Sequence, residues 1–199
     1  MTRPRRPVRS LALAGAGVGL MMLAACATGS GPVAASSTPV DLQRFMGEWH
    51  VIAHVPYFAE EGHVASSDTY TLRPDGGIDV RYTYRTGFDQ PLKTFDSRAT
   101  VKEGTGNRDW TTWFFRVIPT KFRILEVAPD YSWALIGYPG RDLAWMFARE
   151  PVMGDALYQD LVKRMDGHGV DIDKLYRVPQ VREQVGQLGF AYPKDPSSL

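Results

Sequence analysis

Between residues 48 and 149 the chain alternates apolar and polar positions in short runs, each broken by a turn signal. That rhythm belongs to half-buried strands. The clearest run is "IDVRYTYR" (78–85), where Ile78, Val80, Tyr82 and Tyr84 share one face. Asp79, Arg81, Thr83 and Arg85 share the other, so one face is buried and the other wet. Seven further runs read as strands, at 48–55, 67–73, 93–101, 110–117, 121–127, 133–138 and 143–149. "PDGG" (74–77), "GTGN" (104–107), "PDYS" (129–132) and "PGRD" (139–142) mark turns between them. Eight strands in chain order predict an all-β fold, an eight-stranded up-and-down antiparallel meander. Such a meander hides its edges by closing into a β-barrel. The sixth run has apolar residues on both faces, so its facing stays open. The one long connection, 56–66, stands out as a functional loop on a tight scaffold.

The period changes after residue 150. "PVMGDALYQDLVKRMDGHG" (151–169) sets Met153, Leu157, Leu161 and Met165 at four-residue spacing, an amphipathic helix packed on the barrel's outside. Gly167 and Gly169 stop it. A last short strand is expected at 174–180 and a loosely held tail at 183–199.

Composition narrows the class. Apolar residues make up 44% of the 199, enough for a real core, and aromatics 12%, which favours strands. A net charge of +1 gives no electrostatic case for nucleic acid. A single cysteine, Cys26, excludes an intramolecular disulfide and a multi-cysteine metal site.

That cysteine has a telling context. Arg3, Arg5, Arg6 and Arg9 precede an uncharged, mostly apolar run from Leu11 to Leu23, then "LAAC". The run is too short to cross a bilayer and reads as a secretory signal. "LAAC" resembles a bacterial lipobox, which implies cleavage before Cys26 and lipid attachment at its sulfur and new amine. Multiple acyl chains make a stable anchor. Residue 27 is Ala rather than Asp. By the same resemblance the anchor lies in the outer membrane, with the barrel facing the periplasm. The expected organisation is a signal peptide at 1–25, a lipidated flexible tether at 26–39, a barrel plus helix at 40–182 and the tail at 183–199.

Three stretches carry a family resemblance. "MGEWHVIAHVP" holds a G-x-W as Gly47 and Trp49, "APDYSWALIG" holds Asp130 and Tyr131, and "WMFAREP" holds Arg149. In that order and spacing, with eight meander strands and one late helix, they resemble the lipocalin family. The nearest pattern is that of its bacterial outer-membrane lipoproteins. The resemblance covers about 140 residues, from Val40 to Pro179. It implies that Trp49 plugs one end of the barrel, that Arg149 packs on its face, and that Gly47 lets the chain cross beneath. These three are read as structural closure.

The resemblance also implies a cup for an apolar ligand. Alternation from Trp49 puts Val51 and Ala53 in the lining, joined by Tyr82 and Tyr84, and by Trp113 and Phe115 from the fifth strand. Fatty acids and lysophospholipids are the expected ligands, with Arg85 or Arg116 available to an anionic head group. Storage or transport of membrane lipid follows, by a monomer or weak homodimer with no cofactor. Two alternatives stay open: a haem or other coloured-ligand carrier using His63, and a closed barrel that docks an envelope partner. Catalysis is not expected. No G-x-S-x-G is present, no cysteine follows Cys26, and no nucleophile–base pair can be assembled. His50 and His54 are four apart, which on a strand is about 13 Å, too far for one metal ion. Both are expected on the exterior.

Overall fold

The computed structural model describes residues 38–114 and 117–195. Cys26, Phe115 and Arg116 lie outside them, as do the signal peptide and all but the end of the tether.

A one-turn helix, α1 (Leu42–Phe45), leads into β1 (Gly47–Val55). There follow β2 (Val64–Leu72), β3 (Ile78–Arg85), β4 (Lys93–Val101), β5 (Asp109–Phe114), β6 (Ile118–Val127), β7 (Trp133–Gly137) and β8 (Ala144–Ala148). Each pairs antiparallel with the next, and β1 pairs with both β2 and β8. The eight strands therefore close on themselves. The long connection is shorter than the sequence suggested, at 56–63, because β2 begins at Val64.

The helix α2 (Asp155–Gly167) packs outside, and a two-residue strand, β9 (Tyr176–Arg177), adds to β1. Its buried side chains are Tyr158, Leu161 and Met165, while Leu157 is 41% exposed. A four-residue repeat overshoots the 3.6-residue turn, so Tyr158 takes the inward place expected of Leu157.

Two cores result. One fills the barrel around Trp49, Phe45, Tyr70, Trp110 and Phe147. The other lies between α2 and the outer face of β1, β7 and β8, with Ile52, Leu135, Met146 and Leu161. Strands buried on both faces read as near-continuous apolar runs, which is what "HVIAHV", "WALIG" and "AWMFA" are. Strands β3 and β4 are wet outside and alternate, while β2 shifts register between Val64 and Ser67 and buries both Ser66 and Ser67. Together the two cores draw on every element from α1 to α2.

Two β-bulges set the facing of key residues. On β1, Val51 pairs with Phe147 but Ala53 pairs with Met146, leaving Ile52 as the extra residue. Ile52 and Ala53 both turn toward α2, and His54 turns inward opposite Trp145. On β6 the extra residue is Leu125, so Phe122, Ile124 and Val127 face in while Leu125 and Glu126 face out. That settles the strand whose facing the pattern left open.

The tail is not loose through residue 195. Arg177 N and Ala191 N exchange bonds with Gly189 and Arg177 carbonyls, Lys194 N donates to Gly62 O at 2.8 Å, and Asp195 N donates to Thr86 O at 2.8 Å. The Arg177 guanidinium sits 4.4 Å from the Tyr158 ring and 4.3 Å from the Phe190 ring. An extended segment satisfies its backbone on the barrel and straps the loops at one end.

Candidate functional site: a barrel closed at one end

At the first end of the barrel the inward polar groups are paired with backbone. Trp49 is fully buried and its Nε1 donates to Phe45 O at 2.8 Å. The Arg149 guanidinium lies 3.7 Å from the Trp49 ring. It donates to the carbonyls of Glu48 at 2.6 Å, Arg44 at 2.9 Å and Met46 at 2.8 Å. These are the orphan carbonyls of α1 and the turn into β1. Gly47 sits at φ +94°, and a Cβ there would meet Arg149 Nη1 at 3.3 Å. A glycine ahead of the tryptophan is thus required twice, by the backbone angle and by the arginine. Tyr131 joins the same end, its hydroxyl accepting from Asp41 N at 2.8 Å with Arg44 stacked 4.2 Å from its ring. Arg108 ties the entering chain down by donating to Thr38 O at 2.7 Å and Ile124 O at 3.0 Å.

The opposite end is open. Loops 56–63 and 86–92 and the start of β6 gather there, with exposed apolar side chains at Phe58, Leu92, Val117 and Ile118. Below them, side chains that face into the barrel are only half-buried, including Asp68, Tyr82, Tyr84, Phe122 and Trp145. Inward residues that still meet solvent mean that this end is not sealed as the first end is, and water reaches into the barrel there.

One wall of the open end is polar. Glu60, from loop 56–63, accepts from Trp145 Nε1 at 2.9 Å and lies 3.5 Å from His54 Nδ1. His63 Nδ1 meets the Tyr82 hydroxyl at 3.0 Å, and its ring stacks on Tyr84 at 3.7 Å. Burial pushes His63 down to about 4, only partly opposed by the Glu60 charge, so it is neutral at pH 7. Asp68 faces inward between Trp49 and Tyr82. Burial pushes its carboxyl well above the usual range, and Glu60 pushes it further. Burial likewise raises the Tyr82 phenol.

A family model described as a lipocalin-like domain matches residues 40–180. The chain belongs to the lipocalin family. It is 32% identical over 148 residues to temperature-induced lipocalin-1 of Arabidopsis thaliana, spanning 71% of this chain and 80% of that one. It is 27% identical over 175 residues to the outer membrane lipoprotein Blc of Escherichia coli K12, spanning 81% and 97%. Among solved structures, insecticyanin from the tobacco hornworm Manduca sexta superposes with a TM-score of 0.57 at 16% identity, covering 81% of this chain and 89% of that one. Lobster apocrustacyanin A1 superposes at 0.55 and 15% identity, covering 70% and 79%. Members of the family bind small hydrophobic ligands and are in general carriers rather than enzymes.

The lipocalin calyx takes up some of the residues the alternation assigned to it and not others. Val51, Tyr82 and Tyr84 face inward. Ala53 does not: the Ile52 bulge moves it under α2. The same bulge brings His54 inside, against the expectation of an exterior residue, while His50 pairs with Ala148 and stays outside. Trp113 pairs with Arg98 and faces out, because Trp110 and Thr112 take the inward positions of β5. It borders a shallow outer groove of about 850 Å³ with Asp79, Arg81, Asp96 and Arg98. Those charges already pair, Arg81 with Asp96 at 2.8 Å and Arg98 with Asp79 at 3.3 Å, so the groove presents a self-neutralised ladder. Arg85 is also engaged, donating to Gln90 O.

Two site residues escaped the sequence reading. Asp68 shares the parity of Tyr70 and Leu72 in "SDTYTLR", which was the available signal for an inward carboxylate. Glu60 had none, since a loop has no period. No three His, Cys, Asp or Glu side chains converge as a metal site among the described residues. No helix among them is long and apolar enough to cross a membrane.

Proposed function

We propose that this lipocalin is a lipid-anchored carrier at the outer membrane that stores or transports single-chain lipids, fatty acids or lysophospholipids, for envelope maintenance. The observation that carries the reading is the calyx: a barrel plugged at one end, open at the other, with half-buried side chains facing its interior. The gross driving force is sufficient. An acyl chain burying about ten methylenes at roughly 0.8 kcal/mol each gains on the order of 8 kcal/mol before ordering costs. The exposed apolar side chains around the mouth suit contact with a lipid surface during loading. Placement at the outer membrane is supported by the lipobox-like "LAAC" and by likeness to lipoproteins named for that membrane.

Native mass spectrometry of segment 38–199, exported to a bacterial periplasm, tests the carrier reading. A bound mass matching a fatty acid or lysophospholipid is expected. Apoprotein that also fails to take up added lysophospholipid would contradict it. For the anchor, Cys26→Ser is expected to abolish palmitate labelling of the full chain and release it into the soluble periplasm. Unchanged labelling would sink the attachment site.

A further inference from the structure

The C-terminal segment ends on the two loops that rim the mouth. Lys194 N donates to Gly62 O in loop 56–63, and Asp195 N donates to Thr86 O in loop 86–92, each at 2.8 Å. We infer that segment 186–195 is a latch across the mouth that sets how fast lipid enters and leaves the barrel; the inference rests on the carrier reading above. The joint at Gly62 is close. A Cβ there would stand 2.7 Å from Lys194 N and 2.8 Å from its Cα, and Gly62 has φ +71°. Only glycine suits both the backbone angle and the approach. Pro193, next in the latch, is buried. Upstream the segment is pinned beside β9. Arg177 N donates to Gly189 O at 3.0 Å, Ala191 N donates to Arg177 O at 2.8 Å, and the Arg177 guanidinium lies 4.3 Å from the Phe190 ring. Strand β9 in turn pairs with Ala53 and His54 on β1.

The latch is separable from the fold. Neither core draws a residue from 186–195, and Leu188 and Tyr192 are exposed. A segment held mainly by backbone hydrogen bonds at the surface opens at a lower free energy than a packed barrel does. What it holds is the entrance. Loop 56–63 is also tied from within, where Glu60 accepts from Trp145 Nε1 at 2.9 Å. With the latch closed the loop is fixed on both sides, and with it open only the inner tie remains. Exchange through the mouth then follows the fraction of time the latch is open. Because the segment adds nothing to the interior core, opening raises entry and exit rates together and leaves affinity nearly unchanged.

The test uses the whole exported chain with Cys26→Ser throughout, so that no acyl anchor interferes. The probe is cis-parinaric acid, a fatty acid that fluoresces on binding, and stopped-flow mixing gives its entry and exit rates. A chain shortened to end at Val185 keeps every residue of both cores. It is expected to exchange the probe at least about tenfold faster in both directions, the worth of the rim hydrogen bonds lost, with Kd within about twofold. Gly62→Ala drives a methyl into Lys194 and is expected to speed exchange likewise in the whole chain. In the shortened chain it should add less than about twofold, because nothing remains there to displace. Rates unchanged by both alterations would overturn the latch. So would a Gly62→Ala effect of equal size in both chains, which would trace it to the loop alone. Loss of the barrel's circular dichroism spectrum on shortening would also overturn it, since the segment would then hold the fold rather than gate it. A parent chain that binds no cis-parinaric acid would overturn the carrier reading and the latch with it, whereas binding at rates indifferent to the latch overturns the latch alone.

Discussion

The two ends of this barrel are built from the same strands and solve opposite problems. At the closed end, Trp49 Nε1 and the Arg149 guanidinium are paired with backbone: the guanidinium alone donates to five carbonyls. At the mouth, His54 Nδ1 is buried 3.5 Å from Glu60 with no hydrogen bond among the described residues, and inward rings remain half-buried. The first arrangement maximises stability; the second holds unsatisfied groups at some cost to stability, which is what a binding site requires. Conserving strand pairing across both ends lets the closed end carry the fold while the mouth stays available.

Substitutions should separate the two ends. Trp49→Ala removes the floor, and a loss of about 3–5 kcal/mol in urea unfolding is expected; a loss under about 1 kcal/mol would mean that the plug is dispensable. Arg149→Ala strips the carbonyls of α1 of their donor and is expected to cost about 2–4 kcal/mol by the same measurement. Gly47→Ala forces a side chain into a positive-φ backbone against Arg149, and about 1–2 kcal/mol of destabilisation is expected. Equal stability of that variant would remove the stated reason for the glycine.

The mouth should show itself through pH. His63 titrates near 6.5 when unfolded and at about 4 when folded. Between those values the unfolded chain binds a proton the folded chain refuses. Stability from this source is full above pH 6.5 and falls as pH drops toward 4. A fall of about 1–2 kcal/mol is expected, allowing for partial hydration at the mouth, and His63→Gln should flatten it. Asp68 has the opposite sign: its raised folded value favours the protonated form, so its contribution is lost as pH rises. Asp68→Asn is therefore expected to raise the melting temperature at pH 7. The smallest effect belongs to Trp113→Thr on the outer wall, expected within about 0.5 kcal/mol of wild type with unchanged ligand binding. Lost binding in that variant would place the site elsewhere.

How much the sequence disclosed also divides by region. The closed end was legible because its demands are specific to residue type: only glycine suits φ +94°, and a buried guanidinium on an indole calls for arginine and tryptophan at set places. Strands β3 and β4 were legible because one face is wet and alternation is visible. The calyx wall was less so. Strand β1 is buried on both faces, so the extra residue at Ile52 left no break in an already apolar run, and it reversed the facing of Ala53 and His54. On β5 aromatics fall on both parities, and Trp110 rather than Trp113 takes the interior. The tail carries no periodic signal, yet long-range backbone bonds hold it.

A rigid closed end and a ligand-holding open end differ most in backbone dynamics. Amide hydrogen exchange of segment 38–199, with and without a single-chain lysophospholipid, examines both halves together. Residues 45–51 and 146–149 should be protected near the global limit without lipid and should not change when it is added. Residues 57–68 and 82–92 should exchange faster without lipid and gain protection on its addition. Exchange unchanged at every position, or protection appearing on the outer face of β2 to β4 instead, would contradict a calyx that binds through its mouth.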